Sequence, residues 1–146
     1  MSLYDATQKV IPIIGTKTGT TRTPVTLTAA YDVADKTKIF KSGGFSKLNL
    51  DILYTVGATE TSNSVDIRVE GSADGTNFYR LPNEQVSAGI STLTQREFTF
   101  VGASTGAYTI SIGIDIFYKY TRVSVKESGV VTNYGTVFVE GTLSGK

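Results

Sequence analysis

The chain has 146 residues, a net charge of +1, no cysteine and no histidine. A near-neutral balance provides no field strong enough to gather nucleic acid or an anionic membrane surface. The missing cysteines exclude disulfides and thiolate chemistry, and the missing histidines remove the commonest general base, metal ligand and pH switch together.

No enzyme is therefore expected, and no catalytic residue, cofactor site or metal site is assigned. The length suits one domain that buries roughly 70% of its unfolded surface. No apolar run reaches the ~18 residues of a membrane span. Met1 to Asp5 lack the basic and apolar regions of a secretory signal, so the chain is expected to fold where it is made, in the cytoplasm.

Residues 1–23 differ from the rest. Val10-Ile11-Pro12-Ile13-Ile14 is a short apolar run broken by a proline, which costs a ladder hydrogen bond inside a sheet. Gly15 to Thr23 is a Thr/Gly/Lys/Arg segment without periodicity, too poor in apolar surface to offset its own ordering entropy. The segment reads as a frayed terminus with an edge strand. Alternatively, it is an extended arm that places Val10, Ile11, Ile13 and Ile14 on a neighbouring subunit. The domain proper is expected over 24–146.

From Pro24 onward the pattern is β. Val25 and Leu27 alternate with threonines, and Tyr31 and Val33 precede a connection into Ile39-Phe40. Phe45 to Tyr54 sets Leu48, Leu50, Ile52 and Tyr54 against Lys47, Asn49 and Asp51. Val65 to Glu70 sets Val65, Ile67 and Val69 against Asp66, Arg68 and Glu70, turns on Ala73-Asp74-Gly75-Thr76, and resumes as a short aromatic strand closed by Pro82. Asp-Gly suits a tight hairpin turn. Pro82 to Ile90 reads as irregular.

Gln95 to Val101 points Phe98 and Phe100 inward. Gly102 to Gly106 turns the chain into the alternation Tyr108, Ile110, Ile112, Ile114, Ile116, and the last strands are 117–127 and 135–143. No stretch carries helical periodicity. About eight or nine strands with Gly-rich turns predict an all-β, antiparallel two-sheet sandwich of jelly-roll type.

Two places invite contact with a partner. Val123 and Val125 form the inward pair of their strand, which leaves Tyr118, Tyr120 and Arg122 on the opposite face, and tyrosine and arginine are enriched at binding hot spots. A bulge that turns one tyrosine into the core is the plainer alternative. Phe138 lies between inward Val137 and Val139 and should point outward. The carboxylates Asp51, Asp66, Glu70, Glu97, Asp115 and Glu140 occupy outward positions and read as cross-strand partners of lysine and arginine rather than a catalytic pair. Asp74 with Gly75 reads as turn chemistry rather than a calcium loop.

Val69-Glu-Gly-Ser-Ala-Asp-Gly-Thr-Asn-Phe-Tyr-Arg-Leu81 resembles the hairpin of two groups: discoidin-like carbohydrate- and lipid-binding domains, and small β-sandwich structural proteins of tailed bacteriophages. Tyr118-Lys-Tyr-Thr-Arg-Val123 resembles the late strand that pairs with that hairpin in the discoidin group. Discoidin-like domains place a tryptophan after the Asp-Gly turn and carry a disulfide, and this chain has neither Trp nor Cys. The phage resemblance implies a virion location and a capsid-decoration or head-auxiliary role. The implied partners are further copies of the chain (a homo-oligomer) and the major capsid protein or other virion proteins. The alternative is a carbohydrate-binding or receptor-contact module using the Tyr/Arg face, with a glycan as partner.

Overall fold

The computed structural model describes residues 8–31, 34–80, 82–95, 97–102, 104–129 and 132–145, with the backbone alone for 80, 82–87 and 91–95. The strands are β1 (Gln8–Ile14), β2 (Thr16–Thr18), β3 (Thr21–Thr23), β4 (Val25–Thr26), β5 (Thr37–Lys41), β6 (Lys47–Thr55) and β7 (Asn63–Ser72). They continue as β8 (Tyr79–Arg80), β9 (Pro82–Ser87), β10 (Ile90–Gln95), β11 (Glu97–Gly102), β12 (Ala107–Asp115), β13 (Tyr120–Ser128) and β14 (Thr136–Ser144). A 3-10 turn, Ala34–Lys36, leads into β5.

Two five-stranded antiparallel sheets hold the long strands. One runs β1-β14-β6-β12, with β4 also on β14; the other runs β11-β7-β13-β5, with β8 also on β7. Along the chain the long strands β1, β5, β6, β7, β11, β12, β13 and β14 switch sheets at every step but one, from β7 to β11. That arrangement is the double Greek key of a jelly roll. The connection 102–107 therefore crosses between sheets instead of turning a hairpin.

Period-two alternation builds this body. Leu48, Leu50, Ile52 and Tyr54 of β6 face Val65, Ile67 and Val69 of β7 and Val123 and Val125 of β13 across one apolar core. Val137, Val139 and Leu143 of β14 complete it.

Each sheet has one edge interrupted by a small hairpin. On β14, the partners of β1 end at Val139, and β4 resumes at Thr136 and Val137; between them β2 and β3 pair as a hairpin of their own. On β7, β8 pairs at Glu70 and Gly71 while β11 pairs from Arg68 onward, and the β9–β10 hairpin intervenes. Ala88 (φ 50°) and Gly89 (φ 76°) form the two-residue turn of the second hairpin, the backbone that a primed turn requires. The stretch 82–90 is thus strand and turn, not irregular.

Two readings of the sequence are revised. Residues 8–23 are not an arm. β1 adds to the edge of this chain's own sheet, with Pro12 beside a register shift, where a missing N–H does least harm. Residues 1–7 lie outside the described residues. The turn after β7 is not tight either: Gly71 pairs with Tyr79, so the loop spans 72–78. The Asp74 carboxylate holds it by accepting from the N–H groups of Thr76 and Asn77, each at 2.8 Å.

Candidate functional site

The outward face of the β11-β7-β13-β5 sheet carries Asp66, Arg68, Glu70, Arg122 and Lys126, and the first three of these are buried. Register sets Arg122 opposite Glu70, Ser124 opposite Arg68 and Lys126 opposite Asp66. Arg122 donates from Nε and Nη2 to the two oxygens of Glu70, both at 3.0 Å, and Arg68 Nε lies 3.1 Å from Glu70 Oε1. Asp66 accepts from Thr99 at 2.8 Å and from Ser128, with Lys126 at 3.9 Å.

Two rings roof this lattice. Arg68 and Lys126 lie 4.5 and 4.8 Å from the Tyr31 ring centre, and Arg122 lies 4.5 Å from that of Phe78. The Tyr31 hydroxyl donates to Glu97 at 2.6 Å. The lattice is therefore a set of paired charges beneath an aromatic cover.

The proposed Tyr/Arg contact face is partly used up inside the molecule. A Cβ on Gly71 would lie 2.2 Å from Tyr118 Cδ2, so the Tyr118 ring rests on a glycine because nothing larger leaves it room. Tyr118 also packs on the core, which is the outcome of the plainer alternative but not its cause: Tyr118 precedes β13, and the pairing from Tyr120 onward has no bulge. Tyr120 lies against Gly75 in the 72–78 loop, and Arg122 is held by Glu70. The late strand and the Asp-Gly hairpin thus form one packed unit, joined through two glycines. The aromatic rings that do face solvent in this corner are Tyr79 and Phe117, the latter 82% exposed.

The apolar run of β1 divides as its position dictates. Ile13 and Ile14 are buried in the core, Ile11 packs at its margin, and Val10 is 58% exposed. Of the four residues assigned to a neighbouring subunit, Val10 alone is an exposed residue.

Phe138 does leave the core on the outer side of β14, yet it is only 2% exposed. The β2–β3 hairpin folds over it. Gly15 (φ 84°) sits so close that a Cβ would meet Phe138 Cδ2 at 2.9 Å and Thr23 O at 2.5 Å, and Arg22 lies 5.6 Å from the ring centre. Lys17 pins the hairpin to Glu140 at 2.9 Å. Beside it runs a groove of about 290 Å³ lined by Arg22, Asp51, Leu53, Thr109, Ser111, Phe138 and Glu140. Asp51 and Glu140 are direct cross-strand partners there, and Asp51 accepts from Ser111 at 3.0 Å and from Asn49 at 3.2 Å.

Two buried carboxylates were not singled out by sequence reasoning. Glu127, 1% exposed, accepts from the Tyr54 hydroxyl at 2.6 Å and the Gly135 N–H at 2.9 Å. Its signal was present, since Glu127 is in phase with inward Val123 and Val125. Glu60 accepts from the N–H groups of Thr132 and Asn133 at 2.6 and 2.9 Å, a long-range contact that no local pattern announces. Among the described residues no group of His, Asp and Glu has metal-binding geometry. No described helix is long and apolar enough to cross a membrane.

No protein-family model matches the chain, and no curated protein matches it either. The class that strand order and core define is the antiparallel jelly-roll sandwich.

The pH dependence of stability follows from these contacts. Backbone N–H groups of Asn133 and Thr132 hold the Glu60 carboxyl below its usual range, and those of Asn77 and Thr76 do the same for Asp74. A depressed carboxylate contributes stability above its unfolded pKa, and that stability is lost as pH falls through the folded value. Urea midpoints should therefore decline below about pH 4. Burial first, and then the bonds to Glu127 and Glu97, push the Tyr54 and Tyr31 hydroxyls up. A raised pKa stabilises fully below the unfolded value, so midpoints should also fall above about pH 10. Tyr54→Phe should flatten the alkaline limb; an unchanged limb would overturn this assignment.

Proposed function

We propose that this chain is a non-enzymatic structural subunit of a virus-type particle, of the capsid-decoration or head-auxiliary kind that its hairpin resembles. The observation that carries the reading is how its acidic groups are used. Every Asp and Glu whose side chain is described has a partner, from the Glu70–Arg122 pair and the Glu127–Tyr54 bond to the Lys17–Glu140 and Lys47–Asp115 bridges at the surface. Carboxylates committed in this way stiffen a scaffold; a catalytic pair needs oxygens open to a substrate. A stiff sandwich suits weak contacts multiplied by symmetry.

Particles purified from the source that encodes the chain should contain it at a copy number in simple ratio to the shell subunit, as read by quantitative mass spectrometry and labelling in electron micrographs. Absence of the chain from particles would overturn the reading.

A glycan-contact module is the second reading, and the groove beside Phe138 favours it. Asp51, Glu140, Ser111 and Arg22 offer a sugar both acceptors and donors there, in place of the half-buried Tyr118.

A further inference from the structure

Four edges bound the two sheets, and three carry devices that discourage pairing with another chain. β1 has Pro12, a register shift and the β2–β3 excursion. β5 is five residues long and carries Lys38 and Lys41. β11 is six residues long and opens on Glu97.

The fourth edge, β12, has none of these. It runs nine residues in unbroken register with β6, contains no proline, lysine or arginine, and pairs with no other described strand. Its one charge, Asp115, stands at the end.

The core is also uncovered on this side. Tyr108, Ile110 and Ile112 of β12 point inward yet remain half-buried, as do Phe98 and Phe100 of β11 opposite them. An opening of about 460 Å³ enters there, with Phe98 of one sheet and Leu48 and Ile114 of the other on its walls. Val101 at the same margin is 62% exposed.

We propose that β12 is a pairing edge whose occupant is β12 of a second copy, antiparallel about a two-fold axis through Ser111. The strand is complementary to itself in that register. Ile110 meets Ile112 and Tyr108 meets Ile114 on the inner side; Thr109 meets Gly113 and Ser111 meets Ser111 on the outer side. Asp115 meets Ala107, so no like charges face each other. A one-residue slip would set inner side chains against outer ones and is excluded by the buried face. The axis stands perpendicular to the sheet, which places the two β11 edges on the same side and lets Phe98 and Phe100 of both copies close one core. The inference rests on strand geometry and not on the particle reading: a dimer absent from particles would sink only the latter.

The chain has no cysteine, so single-cysteine variants report on the register. Opposed residues of an antiparallel pair stand about 4.5–5.5 Å apart at Cα, within disulfide reach. Thr109, two positions off the axis, would lie ~13 Å from its own mate. The wild type should sediment as a dimer at micromolar concentration. Under mild oxidation, Ser111→Cys should form a covalent dimer roughly ten-fold faster or more than Thr109→Cys, since bonding demands that approach. Both positions are exposed, and unchanged melting curves would show that both variants fold. A monomeric wild type, or equal cross-linking of the two variants, would overturn the proposal.

Discussion

Glu127→Ala is expected to cost about 3–5 kcal/mol of folding stability, a melting-point drop on the order of 10 °C. The substitution removes the common acceptor of the Tyr54 hydroxyl and the Gly135 N–H in a place that water does not reach. Each stranded donor then bears its full desolvation cost, about 1–3 kcal/mol, in addition to the cavity left by the side chain. Tyr54→Phe removes one donor and leaves the carboxylate its bond to Gly135, so it should cost less. In a double-mutant cycle followed by urea unfolding, the two changes should be strongly non-additive, because they share one bond. A Glu127→Ala variant that melts with the wild type would refute a structural role for this carboxylate.

Glu70→Ala should be comparably damaging, at about 3–5 kcal/mol, because it takes away the carboxylate that Arg122 and Arg68 share. The two guanidinium groups would then face each other beneath Phe78 and Tyr31. The paired replacement Glu70→Leu with Arg122→Leu should recover most of the loss, since a well-packed apolar pair avoids the desolvation that the ion pair bears. Calorimetry on the three variants decides the matter. If the double variant is no better than Glu70→Ala, the lattice is held by contacts other than this pair.

The body of the sandwich was legible in the sequence because alternation encodes it locally. The inward residues of β6, β7, β12 and β14 are those that period two selects, and the jelly-roll expectation agrees with the observed strand order. Alternation also placed Asp66, Arg68 and Glu70 outward. It could not reveal that they are buried, because the cover comes from Tyr31 and Phe78, which are distant in sequence or lie across a loop.

The hairpins β2–β3 and β9–β10 escaped for a different reason. Both are short and polar, and neither has an asparagine-glycine turn to announce it. For β1 the edge-strand reading held and the arm reading did not: Pro12 breaks a central strand, and a sheet edge tolerates it. The candidate contact residues fared according to their neighbours: Gly71 admits Tyr118 and Gly15 admits Phe138, and a glycine gives no hint of what will rest upon it.

The strand order that closes the sandwich also governs how quickly it can form. Of the pairings between long strands, β7 with β11 alone joins successive members of the fold, and even there a hairpin intervenes. β1 must wait for β14; Lys17 and its partner Glu140 are separated by 123 positions. Loop-closure entropy must be met before such contacts return anything, so this topology belongs with the slow folders. During synthesis Ile13 and Ile14 emerge well before their partner strand and gain its cover only when β14 leaves the ribosome. The apolar run at the start of the chain is thus a late clasp, sticky for as long as the rest of the molecule is being made.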